Sequence, residues 1–306
     1  MISVIIPVFN EEESLSELYK EIKAALKKEN LEIIFIDDGS LDKSLEILKK
    51  IASKDKDVKV FSFRKNLGKA EALTLGFQKA KGEYIVTLDA DLQDRPSEIK
   101  KLFEKEKNGW DLVSGWRKNR KDSLTKVLSS KLFNSLATFF WGLKINDLNS
   151  GLKLYRRDVA KTLNLYGGMH RFIPLLVYQQ GFRVTEVAVV HDKRKFGKSK
   201  YRFTKIFTEI PDMFTMLFLS KYSLRPLHLF GWLGFILLSI GLVILIYLTI
   251  LHFQGFTIGD RPLLLFGFLL VLSGFQIFLT GFLADLFLHF SKNDNGKEII
   301  LKYQKE

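Results

Sequence analysis

The stretch YIVTLDADLQD, residues 84–94, places three carboxylates directly after an apolar run. Side chains at positions i and i+2 of a strand point to the same side, so Asp89 and Asp91 are expected to converge. Two carboxylates at close range repel each other unless a cation lies between them. Oxygen ligands favour Mg²⁺ or Mn²⁺ over zinc. The spacing indicates a divalent-cation site with Asp89 and Asp91 as ligands and Gln93 as a further oxygen donor; a solvated acidic turn fits the spacing equally well.

The elements that must position these acids alternate between strands and helices before residue 200. Apolar runs predict five strands: ISVIIPVF, EIIFID, VKVFSF, YIVTLD and DLVSGW. Apolar residues at spacings of three and four predict helices within 11–28, 44–53 and 68–82. This alternation predicts an α/β fold with a Rossmann-like, mostly parallel sheet and helices on its faces.

Polar clusters follow three of the predicted strands at their carboxyl ends, which is where such sheets bind ligands. The clusters are Asn10–Glu11, Asp37–Ser40 and Asp89–Asp94. Asp94 has a second reading, because an Asp shortly before a proline, here Pro96, commonly caps the start of a helix.

The overall charge limits the classes of partner. The 306 residues include 47 Lys and Arg against 34 Asp and Glu, a formal charge of +13. This surplus suits nucleic acid, anionic lipid headgroups or phosphorylated small molecules. The absence of cysteine excludes disulfides and thiolate metal sites. No G-x-G-x-x-G follows the first strand, and FGKSKY has Asp192 where a Walker A loop needs glycine, which argues against dehydrogenases and ATPases.

Two long segments without charge indicate a membrane anchor. Residues 227–251 and 262–284 contain no Lys, Arg, Asp or Glu, and each exceeds the roughly 20 residues that cross a bilayer as a helix. The connector 252–261 holds one Arg and no Lys, whereas Lys and Arg are frequent before the first segment and in the tail. The positive-inside rule therefore predicts a two-pass membrane protein with its large domain and both termini in the cytoplasm.

Between the sheet domain and these segments, residues 203–223 have apolar side chains at helical spacing with polar residues on the other side. This pattern favours an amphipathic helix in the membrane interface; a helix packed on the globular domain is the alternative. The predicted organisation is a catalytic or binding domain over 1–202, the interfacial helix over 203–223, a transmembrane hairpin over 224–290 and a cytoplasmic tail over 291–306.

Seven motifs occur in a defined order: VIIPVFNEEESL, IDDGS, NLGKAEAL, LDADLQD, SGLKLYRR, GMHRFIP and RKFGKSKY. Together they resemble the family 2 glycosyltransferases of GT-A fold, in particular dolichol-phosphate mannose synthase and its bacterial polyprenyl-phosphate relatives. The resemblance covers roughly residues 2–205, and the two-helix end is similar to that of the bacterial members.

The resemblance implies roles on the donor side. Asp89, Asp91 and Gln93 would hold Mg²⁺ or Mn²⁺ on the diphosphate of a GDP- or UDP-sugar, with Asp91 also counted as catalytic. Pro7, Asn10, Glu11 and Asp38 would hold the base and the ribose, and Lys69 and Arg202 would make further phosphate contacts. Separately, the basic loop over 191–200, which contains Lys198, could close over the diphosphate as a lid; a basic face attracted to anionic lipid is the alternative for this loop.

On the acceptor side, a lipid monophosphate is largely dianionic at neutral pH because its second pKa is about 6. It needs cations that position it more than a base that deprotonates it. Arg117, Lys131 and Ser135 suit that task and are the predicted catalytic set together with Asp91; His170 and Arg171 are further acceptor candidates. The family often has arginine at the positions of Lys131 and Lys153, and lysine keeps the charge but loses the bidentate fork.

The expected activity is inverting transfer of one hexose or modified sugar to dolichyl or undecaprenyl phosphate at the membrane. Two alternatives stay open: a processive polysaccharide synthase, whose Q-x-x-R-W signature the chain lacks, and a non-catalytic membrane scaffold on a transferase domain. No nucleic-acid partner is expected, since no recognition helix or aromatic RNA-binding pattern is present. The sequence leaves a homo-oligomer open.

Overall fold

The computed structural model of the protein describes residues 1–118, 142–193, 195–196, 215, 218 and 225–291. The chain divides into two compact units, Met1–Met216 and Leu217–Glu306. The predicted interfacial helix, 203–223, lies outside the described residues except for positions 215 and 218, and the predicted tail lies outside them after Ser291. The predicted boundaries of these segments stay predictions.

The first unit is built from strands and helices in alternation. Its strands are β1 Ile2–Val8, β2 Leu31–Asp37, β3 Val58–Ser62, β4 Tyr84–Thr87, β5 Leu112–Trp116, β6 Lys153–Arg156 and β7 Val184–Ala188. Its described α-helices are α1 Leu15–Ala25, α2 Ser44–Ala52, α3 Lys69–Lys79, α4 Ile99–Glu106, α5 Arg157–Thr162 and α6 Ile173–Gln179, with 3₁₀ turns at Pro96–Glu98 and Gly167–Phe172. All five predicted strands and all three predicted helices are confirmed.

The seven strands form one sheet in the order β3-β2-β1-β4-β6-β5-β7. All neighbouring pairs are parallel except those of β6, which runs antiparallel to both β4 and β5. The prediction of an α/β fold with a mostly parallel sheet is confirmed, and the structure adds β6 and β7. Because β6 is reversed, it begins at the edge where β4 and β5 end.

Two apolar layers cover the faces of this sheet. Successive residues of β1 alternate between them, so that Ile5 packs in one layer while Val4 and Ile6 pack in the other. In the first layer the rings of Phe77 and Tyr155 meet edge to face with centroids 5.2 Å apart, which fixes α3 against β6. These layers hold the carboxyl ends of β1, β2 and β4 in place.

The second unit contains α7, Pro226–Phe253, and α8, Pro262–Ser291. Both helices are long and apolar enough to cross a membrane, and most of their side chains are exposed, unlike those of a core helix in a soluble protein. The prediction of two long apolar helices is confirmed.

Glycines bring α7 and α8 into backbone contact. A Cβ atom on Gly234 would lie 2.7 Å from the carbonyl oxygen of Gly274, and one on Gly274 would lie 2.6 Å from the backbone nitrogen of Leu238. Both distances are too short for any side chain. The close-packed glycines recur every seven residues on both helices: Gly234 and Gly241 on α7, and Gly267, Gly274 and Gly281 on α8.

Candidate active site

A cavity of about 190 Å³ opens at the carboxyl edge of the sheet, between the ends of β1, β2 and β4 and the start of α3. Six predicted site residues meet in its lining, although they come from four separate segments of the chain. The lining residues are Pro7, Val8, Phe9, Glu11, Asp38, Lys69, Asp89, Ala90 and Asp91.

Asp89 and Asp91 converge on this cavity, as the spacing predicts, but for a different reason. Strand β4 ends at Thr87, so the two acids lie in the turn after it. The turn includes Leu92 at φ 58°, a left-handed conformation that a bulky side chain rarely adopts. Such outliers concentrate at functional sites. The bend, and not the alternation of a strand, brings the carboxylates together.

Asp89 forms an ion pair with a lysine at the start of α3. Its carboxylate lies 2.5 Å from Nζ of Lys69 at the first turn of α3. Burial opposes ionisation, but the charge of Lys69, with Arg117 and Lys153 at longer range, holds the pKa of Asp89 below its ordinary value. Asp89 is therefore an anion at neutral pH.

The close approach of Gly151 allows this placement of Asp89. A Cβ atom at position 151 would lie 2.6 Å from Cγ and Oδ2 of the Asp89 carboxylate, so any side chain there would displace the acid.

The carboxylates at the cavity suit a divalent cation whose remaining ligands come from water or a substrate. Asp89 and Asp91 offer oxygen ligands on one cavity wall. Among the described residues, no group of three His, Cys, Asp or Glu residues could hold a metal ion. Mg²⁺ and similar ions commonly bind through one or two carboxylates and complete their shell with water and substrate phosphates. Two aspartates beside an open cavity fit this pattern.

Gln93, the third predicted ligand, lies in different surroundings. Its side-chain nitrogen lies 3.2 Å from the carbonyl oxygen of Asp192 and 3.4 Å from Nε2 of His191. The amide thus contacts the segment 191–192, and the fit to a cation rests on the two aspartates. A metal-ligand role for Gln93 stays a prediction.

The predicted helix cap by Asp94 is wrong. The 3₁₀ turn that begins at Pro96 has Arg95 at its N-cap position and no side-chain capping bond. Instead, the buried Asp94 carboxylate lies 3.0 Å from Nδ1 of His191, and the backbone forms a bridge between the same two residues. A second ion pair, between Arg95 and Asp192, lies beside it. The start of the basic loop is thereby fastened to the acidic turn.

Asp38 and Asn10 organise the loops around the cavity. The Asp38 carboxylate accepts hydrogen bonds from the backbone nitrogens of Leu67 and Gly68 and from the side chain of Asn66. Burial nevertheless raises the pKa of Asp38. The side-chain oxygen of Asn10 accepts a bond of 2.8 Å from the backbone nitrogen of Leu41. Both residues hold the loops that surround the cavity in place.

Arg117, directly after β5, makes an ion pair with Asp147. Its Nε lies 2.7 Å from Oδ2 and its Nη2 3.0 Å from Oδ1 of that carboxylate, whose side chain is 1% exposed. Burial opposes the charge, but the bonds to Asp147 outweigh it and raise the pKa of Arg117. The arginine is permanently charged and fixed in direction. Asp147 is a site residue that the sequence analysis missed, because 30 residues separate the pair.

A second, small cavity of about 10 Å³ adjoins the first and shares Lys69 and Asp89 with it. Lys153 lines it and is 2% exposed, and its Nζ donates to the carbonyl oxygen of Ser150. Burial, together with the charge of Lys69, lowers the pKa of Lys153 to about 7. The charge of Lys153 is evident from the sequence, but its burial beside the cavity is not.

His170 lines the same small cavity. Its Nδ1 lies 3.3 Å from the carbonyl oxygen of Gly167. Burial and the charges of Lys69 and Arg171 hold the pKa of His170 well below its ordinary value, so the imidazole is neutral at physiological pH. Arg171 is half-buried in the same 3₁₀ turn.

Four further predicted site residues lie outside the described residues, and their roles stay predictions: Lys131, Ser135, Lys198 and Arg202.

Comparison with protein families gives a match over the larger part of the first unit. The family described as glycosyl transferase family 2 matches residues 3–163.

Curated relatives match almost the whole chain. Dodecaprenyl-phosphate galacturonate synthase of Rhizobium johnstonii is 37% identical over 293 residues, covering 93% of this chain and 87% of the relative. Undecaprenyl-phosphate 4-deoxy-4-formamido-L-arabinose transferase of Photorhabdus laumondii is 34% identical over 289 residues, with the same two coverages.

Among solved structures, glucosyl-3-phosphoglycerate synthase from Mycobacterium tuberculosis in complex with Mn²⁺ and UDP-glucose aligns with a TM-score of 0.55 and 21% identity. The alignment covers 72% of this chain and 78% of that structure. At this identity the likeness supports the fold, which is GT-A-like.

Proposed function

Because the chain belongs to glycosyl transferase family 2, we propose that it transfers one sugar from a nucleotide-sugar to a polyprenyl phosphate at a membrane. The observation that carries the proposal is the cavity in which Asp89, Asp91 and Lys69 meet, close to the fixed cation Arg117. The two relatives described above are named for the transfer of a sugar to a polyprenyl phosphate. Each of them matches 93% of the chain, so the match includes the two apolar helices.

The donor side of this proposal uses the cavity walls. Pro7, Asn10, Glu11 and Asp38 would enclose the base and ribose, because they follow β1 and β2 at the edge where α/β sheets bind nucleotides. Lys69, Lys198 and Arg202 would contact the phosphates. Neither GDP nor UDP is favoured by the contacts of the described residues.

Asp89 and Asp91 would hold Mg²⁺ or Mn²⁺. The structural neighbour that contains Mn²⁺ and UDP-glucose supports a divalent cation. When bound, the cation would supply positive charge to the diphosphate leaving group. Lys69 lies against Asp89 and would add a second positive charge at the same place.

The acceptor side needs cations and no general base, because a lipid phosphate arrives ionised. An oxygen of the lipid phosphate would attack the anomeric carbon, the bond from that carbon to the diphosphate would break, and the nucleoside diphosphate would leave with the electron pair. Arg117, Lys131 and Ser135 would hold the attacking phosphate, with Arg171 and the neutral His170 close to it.

The helices α7 and α8 would anchor the enzyme in the membrane where its acceptor resides. We place the first unit and both termini on the cytoplasmic side, since the connector between the helices lacks Lys and holds one Arg.

The experiment that tests the proposal supplies membranes containing the protein with radiolabelled GDP- and UDP-sugars, undecaprenyl or dolichyl phosphate, and Mn²⁺. We expect one donor to give a labelled lipid that carries a single sugar, and chelation of the cation with EDTA to prevent its formation. Labelled polymer in place of a single-sugar lipid would favour a processive synthase. No labelled lipid with any donor would contradict the proposal.

A matched pair of variants separates an enzyme from a scaffold. Asp91→Asn removes a cavity carboxylate and should abolish lipid labelling, whereas Asp158→Asn changes an exposed acid on α5 and should not affect it. A cellular role that survives Asp91→Asn unchanged would favour the scaffold.

A further inference from the structure

Asp147 bonds to Arg117, and Glu186 bonds to the backbone of Asp147. We propose that both acids are positioning residues that set the direction of the Arg117 guanidinium toward the acceptor phosphate. This inference rests on the proposed function, in which Arg117 binds the phosphate of the lipid. Neither acid belongs to the predicted site residues.

Asp147 accepts hydrogen bonds from both the side chain and the backbone of Arg117. Its two oxygens accept from Nε and Nη2, and Oδ2 also lies 3.3 Å from the backbone nitrogen of Arg117. The carbonyl oxygen of Asn149 accepts a further bond of 3.0 Å from Nη2. This bidentate arrangement fixes the plane of the guanidinium, which a lysine could not achieve.

The bonds to described residues therefore use Nε and Nη2 and leave the two N–H groups of Nη1 as the donors for a ligand. Burial of Arg117 opposes its positive charge, but the carboxylate of Asp147 outweighs this effect and keeps the guanidinium charged. The pair thus offers an anionic ligand two N–H groups in a set direction.

Glu186 fixes the backbone at residues 146–147, which includes Asp147. Its carboxylate accepts bonds from the backbone nitrogens of Asn146 and Asp147, at 2.9 and 3.3 Å, and from the side chain of Asn146. Glu186 lies on β7, which pairs with β5 so that Glu186 is opposite Ser114. The edge strand therefore anchors the 146–147 turn, and the turn anchors the arginine at the end of β5.

The test measures steady-state kinetics of the full-length protein in detergent for Asp147→Asn, Glu186→Gln and Arg117→Lys. Removing one oxygen of the Asp147 fork should raise KM for undecaprenyl phosphate and lower kcat, with a loss of about 10- to 100-fold in kcat/KM, because a misplaced group near the chemistry has effects of this size. KM for the nucleotide-sugar should stay within about twofold, since Asp147 does not line the cavity proposed to bind the nucleotide-sugar. Glu186→Gln should shift the same parameters in the same direction by a smaller factor.

A double-mutant cycle identifies the positioning role. If Asp147 acts through Arg117, Asp147→Asn should add little to the defect of Arg117→Lys. Binding of farnesyl phosphate, measured by calorimetry without donor, should weaken in each single variant. Glu186→Gln offers the same test should Asp147→Asn fail to fold, because it leaves the Asp147–Arg117 pair itself intact.

Multiplicative defects in the cycle, or equal losses for donor and acceptor, would overturn the positioning role while leaving the proposed function in place. A wild-type protein that labels no lipid with any donor would instead overturn the proposed function itself.

Discussion

The amino and carboxyl edges of the sheet both carry an acid paired with a lysine, but the two acids have different surroundings. At the amino edge, Glu32 is 5% exposed and accepts bonds from Ser3, Lys59 and the backbone nitrogen of Lys81. Ser3 in turn accepts from the backbone nitrogen of Gly82. At the carboxyl edge, Asp89 is 34% exposed and lines an open cavity with Asp91 and Lys69.

The difference lies in what the charges leave available. Glu32 and its partners come from four segments, and their bonds tie β1, β2, β3 and the turn before β4 together. Around Asp89 the charges surround a space that a ligand can enter. A buried ion pair is therefore no evidence of function by itself; a cavity beside it is the additional observation that matters.

Neutralising one carboxylate at each edge should separate the two roles most sharply. Asp89→Asn should lower kcat for lipid glycosylation by about 10²- to 10³-fold, because it removes charge that acts on the leaving diphosphate. Glu32→Gln should leave kcat and both KM values within about twofold, since it lies at the opposite edge. Steady-state assays of both purified variants check this, with folding verified by circular dichroism. Comparable losses in the two variants would contradict the division of roles.

Crowding Asp89 without changing its charge should have a smaller effect. Gly151→Ala places a methyl group where only 2.6 Å separates Cβ from the carboxylate, so Asp89 must move, and we expect about a 10- to 100-fold loss of kcat/KM. Gly259→Ala is the matched control, because a Cβ there meets no atom within 4 Å. Full activity in Gly151→Ala would show that the position of Asp89 is not critical.

At the amino edge the expected effect is on stability. Burial raises the pKa of Glu32, but the hydrogen bonds from Lys59 and Ser3 outweigh burial and hold it below the ordinary value. A carboxyl group with a lowered folded-state pKa stabilises the fold above its unfolded pKa, about 4.3, and loses that contribution as the pH falls. Glu32→Gln should therefore reduce the free energy of unfolding by about 1–3 kcal/mol at pH 7.

The difference between wild type and Glu32→Gln should shrink as the pH falls from roughly 5 to 3. Urea denaturation of both proteins across this range measures it. A constant difference would mean that the charge of Glu32 is not what stabilises the edge.

The sequence allowed β1 to β5 and most of the cavity to be predicted, because apolar runs and polar strand ends are local signals; β7, which is parallel to β5, was not predicted. Strand β6 was missed because its four residues include Lys153 and Arg156, which hide the apolar pattern. The Asp147–Arg117 and Asp94–His191 pairs join residues 30 and 97 positions apart, and no local pattern marks such contacts. The reversal of β6 brings Asp147 and Lys153 to the functional edge, and that reversal is a property of the topology.

The close-packed glycines of α7 and α8, from Gly234 to Gly281, form a seam that limits how the two-helix hairpin can deform. Where backbones touch at intervals of seven residues, one helix cannot slide along the other by a single residue without driving side chains into the seam; the next equivalent register is about 10 Å away. In bilayers of different thickness, the two helices would therefore tilt together as a single strut, and hydrophobic mismatch would be absorbed by inclination of the pair instead of shear within it.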